Sequence, residues 1–171
     1  MAYIEVHVPP SAASALAALA VPVPMRDVTR PDGMHVTACF LGKSVTNEAA
    51  VEAISVCGKV ASRYKPIVVK AALLTTFPEN LEWKPGVPVI VRLVSQALMD
   101  FQAELTEALN SAGVDFSKKF PDYKPHVTLG YAASEFEPIT GFVIPWTSPF
   151  VTVWGGDEKF QSSFAVLKFA G

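Results

Sequence analysis

The chain has 171 residues, half of them hydrophobic and 18% charged, with a formal net charge of −2 and a pI of about 5.9. This is a globular composition, long enough for one domain over residues 1–171 with a substantial core, and it excludes intrinsic disorder. It also argues against long nucleic acid as a partner, because that affinity comes from Lys and Arg neutralising successive phosphates; a phosphate-bearing ligand is expected to be small.

YIEVHV (3–8) alternates strictly, with Ile4, Val6 and Val8 on one face and Tyr3, Glu5 and His7 on the other, as a half-buried strand does. His7 is expected on a solvated face. Pro9-Pro10 ends the strand, and Ser11 is placed to cap a short Ala/Leu helix over 12–20 that Pro22 stops. This small-residue stretch has no Lys or Arg before it, so it does not read as a secretory signal. No run reaches the ~18 apolar residues of a membrane span. The expectation is a cytoplasmic protein without a membrane partner.

Residues 21–33, with three prolines and Pro31-Asp32-Gly33, read as loop and turn. MHVTACFLG (34–42) is a second strand. Thr46 caps the next helix, whose apolar stripe is Val51, Ile54, Cys57, Ala61 and Tyr64. Its Cys57, with Cys39, is expected to be a reduced core thiol, two cysteines being too few for a disulfide scaffold. IVVKAALLTTF (67–77) is strand-like, and 78–86 is a loop.

The same order then recurs. VPVIVRLV (87–94) is a strand, and 96–112 is a helix with the stripe Leu98, Phe101, Leu105, Leu109 and Ala112, terminated by Gly113. A loop leads to KPHVTLGY (124–131), a strand; 132–147 reads as irregular; and the C-terminal stretch supplies two strands joined near Gly155-Gly156-Asp157. Each half therefore runs strand, helix, loop, then a strand opening on His-x-Thr: His35-Val36-Thr37 and His126-Val127-Thr128. From the opening strand to the histidine is 32 residues in one half (3 to 35) and 39 in the other (87 to 126). The repeat predicts two lobes, approximately 1–86 and 87–171, related by a pseudo-twofold about a central groove. Mixed strands and helices in this order predict an α+β fold.

On a strand, residues i and i+2 share a face, so His35 projects with Thr37 and His126 with Thr128. The pseudo-twofold brings both pairs into one groove. Two imidazoles suit in-line displacement at phosphorus, one taking a proton from the attacking oxygen and one giving a proton to the leaving oxygen near their ordinary pKa of ~6.5. Threonine hydroxyls donate to the non-bridging oxygens. Neither role calls for a metal or a cofactor.

The paired motifs, with Lys124-Pro125 before the second and Gly130-Tyr131 after it, resemble those of the 2H phosphoesterase superfamily, which includes the 2′-5′ RNA ligases, also called 2′,3′-cyclic phosphodiesterases. The resemblance implies a bilobal fold of antiparallel sheets with outer helices, and His35, Thr37, His126 and Thr128 as catalytic residues. It spans substrates from 2′,3′-cyclic RNA ends and 2′-5′ oligoadenylates to ADP-ribose cyclic phosphate and the cyclic oligonucleotide signals of bacterial immunity, which certain phage members degrade. For substrate, the stacking candidates are Tyr3, Tyr123, Tyr131, Trp83 and Trp154, and Lys124 is a candidate for phosphate. A non-catalytic nucleotide-binding module using the same groove is the alternative.

Overall fold

The computed structural model describes residues 1–78, 86–119, 122–156 and 161–171. In chain order its elements are β1 (Ala2–His7), α1 (Pro10–Ala20), β2 (Met25–Val28), a 3₁₀ turn (Pro31–Gly33), β3 (His35–Gly42), α2 (Asn47–Ala61), β4 (Ile67–Thr76), β5 (Val87–Val94), α3 (Gln96–Ser111), β6 (His126–Ala132), β7 (Ile144–Ser148), β8 (Phe150–Gly156) and β9 (Gln161–Lys168). The strands form two sheets, β3-β1-β8-β9 and β2-β6-β5-β4-β7, and every pairing is antiparallel. The fold is α+β and bilobal.

The sheets do not divide the chain at residue 86. β2 and β4 lie in the second sheet, and β8 and β9 in the first, so the lobes are not the sequence halves 1–86 and 87–171. Residues 21–33 and 132–147 are also more ordered than their composition suggests. β2 pairs with β6, β7 pairs with β4, and Ile139 bridges Leu74. Trp83 and most of the loop 78–86 lie outside the described residues, as does Asp157.

The helices follow capping chemistry in two cases of three. Thr46 Oγ1 accepts from Ala49 N–H at 3.2 Å and starts α2. Ser95 Oγ accepts from Leu98 N–H at 3.1 Å while its hydroxyl donates to the Val68 carbonyl at 2.7 Å, tying the start of α3 to β4. α1 instead begins on Pro10, without a side-chain cap. A proline in the first turn lacks an N–H that would need satisfying and already has helical φ; with Pro9 at the cap position, Ser11 lies inside the first turn and does not cap it. Gly113 ends α3 at φ +72° as expected.

Leu98, Phe101, Leu105 and Leu109 of α3 are all fully buried, each stabilising the fold by about 1.5–3 kcal/mol; Ala112, the last of the expected stripe, is exposed. In α2 the buried face is Ala50, Ala53, Val56, Cys57, Val60 and Ala61, and Val51 is solvent-facing. The small residues of that face let α2 approach α3 and the β8–β9 part of the first sheet. α1 lies against β6 and β7 of the second sheet. Cys39 and Cys57 are buried and unbridged, and burial pushes both thiols up to about 12. Among the described residues no helix is long and apolar enough to cross a membrane.

Candidate active site

β1–β3 and β5–β6 are two copies of one strand pair. In the first, His7 faces His35, Glu5 faces Thr37 and Tyr3 faces Phe40. In the second, Arg92 faces His126, Ile90 faces Thr128 and Pro88 faces Tyr131. The register slips at the same place in both, leaving Ala38 and Leu129, the residues after the threonines, without a cross-strand partner. A bulge of this kind bends the strand and resets its alternation. Its effect is visible in burial: His35, Thr37 and Phe40 are half-buried with Val36, Ala38, Cys39 and Leu41 inside, and His126, Thr128 and Tyr131 repeat the pattern with Val127, Leu129, Gly130 and Ala132 inside.

The two copies meet where β3 and β6 come together between the sheets. The segment entering β6 is fastened to β3: Ser117 N–H donates to the Phe40 carbonyl at 2.8 Å, and Tyr123 Oη–H donates to the Thr37 carbonyl at 3.2 Å. Tyr123 thus bridges the lobes, and its partly buried ring packs on the core.

Each histidine uses Nδ1 in the same way, toward the Gly33 carbonyl at 2.9 Å for His35 and the Lys124 carbonyl at 2.7 Å for His126. A carbonyl only accepts, so Nδ1 carries the proton in both rings and Nε2 is left for proton exchange. Lys124 contributes this carbonyl, while its side chain is exposed.

Around these shared features the surroundings differ. Tyr3 stacks on His35 with ring centroids 5.1 Å apart and on Trp154 at 6.3 Å. Phe77 meets the His126 ring edge-on at 4.7 Å. The buried Glu5 carboxylate lies 4.0 Å from His35 Nδ1. Burial raises the Glu5 pKa, and both the Trp154 indole and a positive His35 pull it back. The indole stops short of hydrogen-bond geometry, so its buried Nε1 has no acceptor among the described residues. Burial lowers the pKa of His126; the Lys124 carbonyl opposes this, while the positive charges of Arg92 and His35 add to it. Burial and Glu5 push the Tyr3 phenol up to about 12.

A groove of about 780 Å³ opens beside His35 over the first sheet, taking in Tyr3, Glu5, His7, Phe150, Thr152 and Trp154. His126, Thr37 and Thr128 are not part of its lining, so the hollow flanks the histidine pair on one side. His7 belongs to this groove rather than to a solvated face: it stacks on Phe150 at 4.2 Å, and burial lowers its pKa. Tyr131 is half-buried beside Pro88, in the place Phe40 holds in the other lobe.

Sequence reasoning missed Glu5, Phe77 and Arg92 as neighbours of the histidines, and for His7 it favoured a solvated face over the groove. Glu5 and His7 share the Tyr3 face of an alternating strand, and that signal was present. Arg92 becomes visible only with the β5–β6 register. Among the described residues no three His, Cys, Asp or Glu side chains gather to hold a metal ion.

Over residues 1–142 the sequence matches the model of a family described as the anti-CBASS protein Acb1. Solved structures with the same architecture include TT0787 of Thermus thermophilus, with a TM-score of 0.81 at 17% identity over 100% of this chain and 99% of that one. E. coli LigT in its apo form aligns with a TM-score of 0.65 at 17% identity over 99% and 97% of the two chains. The MHV ns2 PDE domain aligns at 0.58 and 11% identity over 98% and 99%. At these identities the likeness is one of fold, the 2H phosphoesterase fold. A search of curated proteins by sequence gives no match.

Proposed function

The chain belongs to the family of the anti-CBASS protein Acb1, and from that membership we propose that it is a phosphodiesterase that opens a small cyclic oligonucleotide with His35 and His126 as its acid–base pair. The observation that carries this reading is the matched anchoring of the two rings, each giving Nδ1 to a carbonyl two residues upstream and keeping Nε2 for the substrate. Paired proton transfer needs two such nitrogens on opposite sides of one phosphorus.

His126 starts neutral, because burial and the charges of Arg92 and His35 disfavour its cation, and it is the base. Its Nε2 takes the proton of the attacking oxygen as that oxygen bonds to phosphorus. His35, beside the Glu5 carboxylate, is the acid: its Nε2 passes a proton to the leaving oxygen as the old P–O bond breaks. Thr37 and Thr128 donate to the non-bridging oxygens, where charge is stabilised most. Protons and charge balance within the pair.

The groove over the first sheet takes a nucleobase. Trp154, backed by Tyr3, supplies an aromatic face for stacking, and Tyr131 flanks the second lobe. E. coli LigT, similar in fold, has been seen with 3′-AMP and with ATP, ligands of the size this groove would take. No cofactor enters the scheme.

A panel of cyclic di- and trinucleotides, 2′,3′-cyclic phosphates and 2′-5′ oligoadenylate, read by mass spectrometry, tests the reading. A linearised product from a cyclic oligonucleotide supports it. Tight binding with no product from any member of the panel would instead make the protein a non-catalytic nucleotide binder.

A further inference from the structure

Arg92 stands where the second lobe differs most sharply from the first. It is the cross-strand partner of His126, and direct partners in an antiparallel pair share a face, so its side chain lies on the same face as the imidazole. The equivalent residue of the first lobe, His7, is occupied by stacking on Phe150. Arg92 has no such ring partner among the described residues. Its neighbour on the far side is Leu73 of β4, an apolar residue, and its Nε is buried without a hydrogen-bond acceptor among the described residues. The ion pairs among those residues engage Arg30, Arg63 and His35, and none engages Arg92.

A guanidinium with a buried, unanswered N–H beside a histidine it disfavours as a cation is a poor arrangement for stability alone. It becomes a good one when an anion arrives. The guanidinium fork matches two phosphate oxygens at once, and a bound phosphate cancels the charge that Arg92 places on His126. We propose that Arg92 is a phosphate-holding residue of the site, gripping the substrate's phosphodiester from the His126 side. This assignment rests on the phosphodiesterase reading only for the identity of the phosphate; the anion site itself follows from Arg92 and its surroundings.

The test uses inorganic phosphate as the probe, with the His126 ring followed by NMR in the wild type and in R92M, R92Q and R92K. Phosphate is expected to bind the wild type and raise the titration midpoint of His126. R92M is expected to raise that midpoint without phosphate and to weaken phosphate binding by at least about tenfold, with R92K recovering part of it. Turnover of the cyclic oligonucleotide should fall by about 10² in kcat/KM. R92Q serves in place of R92M if the latter does not fold. Unchanged phosphate affinity together with an unmoved His126 midpoint would overturn the assignment. Arg92-dependent phosphate binding in a protein that turns over no nucleotide would sink the phosphodiesterase reading and leave the anion site standing.

Discussion

His35 and His126 occupy equivalent points of two copies of one bulged strand pair, yet one sits beside a carboxylate and the other beside a guanidinium. His35 Nδ1 is 4.0 Å from Glu5, whereas Ile90 fills the place of Glu5 in the second lobe and Arg92 faces His126 directly. Symmetric backbone geometry thus presents two rings in matching poses, and asymmetric neighbours surround them with opposite charges. Separating two like groups in this way is how a site assigns acid and base roles.

Replacing either ring with alanine should lower turnover by about 10³ or more while leaving the thermal midpoint close to that of the wild type, since both side chains are only half-buried. Thr37→Val and Thr128→Val should each cost about 10² in kcat, mostly without a change in KM. EDTA should have no effect. Substantial turnover in H35A or H126A would end the acid–base assignment.

The pH profile of kcat/KM should be bell-shaped, and its acid limb should report His126. Because the folded pKa of His126 lies below the ordinary imidazole value of ~6.5, the base form persists below that pH and the limb falls there. The same shift makes the unfolded chain bind the proton more readily, so stability contributed by neutral His126 is present above about pH 6.5 and lost as pH falls through the folded value. H126N should flatten that part of the stability curve in thermal melts between pH 5 and 8.

Glu5 carries the opposite sign. Its folded pKa is raised, chiefly by burial, so its ionised form is disfavoured in the folded state and stability falls as pH rises from the unfolded carboxylate value. Glu5→Gln, an isostere of the protonated acid, should therefore raise the thermal midpoint at pH 8 while reducing activity, because His35 loses its counter-charge. A lower midpoint at pH 8 would contradict this account of the carboxylate.

Trp154→Ala should raise KM by about 5- to 150-fold, equivalent to ~1–3 kcal/mol for one stacked base, with kcat less affected. Trp154→Phe should restore most of the loss, because it keeps a π-face next to Tyr3. If Trp154→Ala leaves KM unchanged, the base lies elsewhere.

Gly130 lies opposite Val28 where β2 pairs with β6. A Cβ there would run into the Asp27 carbonyl oxygen and the Met25 sulfur, so Gly130→Ala should cost about 1–3 kcal/mol of stability and loosen β2, measurable as faster amide exchange at Thr29, whose N–H bonds to the Leu129 carbonyl.

The facing of the two His-x-Thr pairs was more legible in the sequence than the topology. His-x-Thr is a local pattern whose facing follows from strand period alone, and the structure keeps both pairs on one face each. MRDV, the β2 segment, has no apolar alternation because most of it is exposed, so only its partner β6 reveals it as a strand. Val51 matched the helical stripe by type, but the close packing of α2 selected alanines and left the larger valine outside. Arg92 and Glu5 gain meaning from register, and register is a relation between strands distant in sequence. Interleaving of the sheets was hidden for the same reason.

That interleaving constrains how the molecule can move. α2 hands the chain from β3 in one sheet to β4 in the other, and β7 passes it back to β8, so the polypeptide crosses between the sheets repeatedly. Ser148 on β7 clamps the crossing by donating to the His7 carbonyl at 2.6 Å. Lobes joined by one linker can swing about it, but lobes laced through each other cannot open widely without tearing a strand from its sheet. The distance between the two imidazoles is therefore a property of the global fold, and it should be lost only when the whole domain melts.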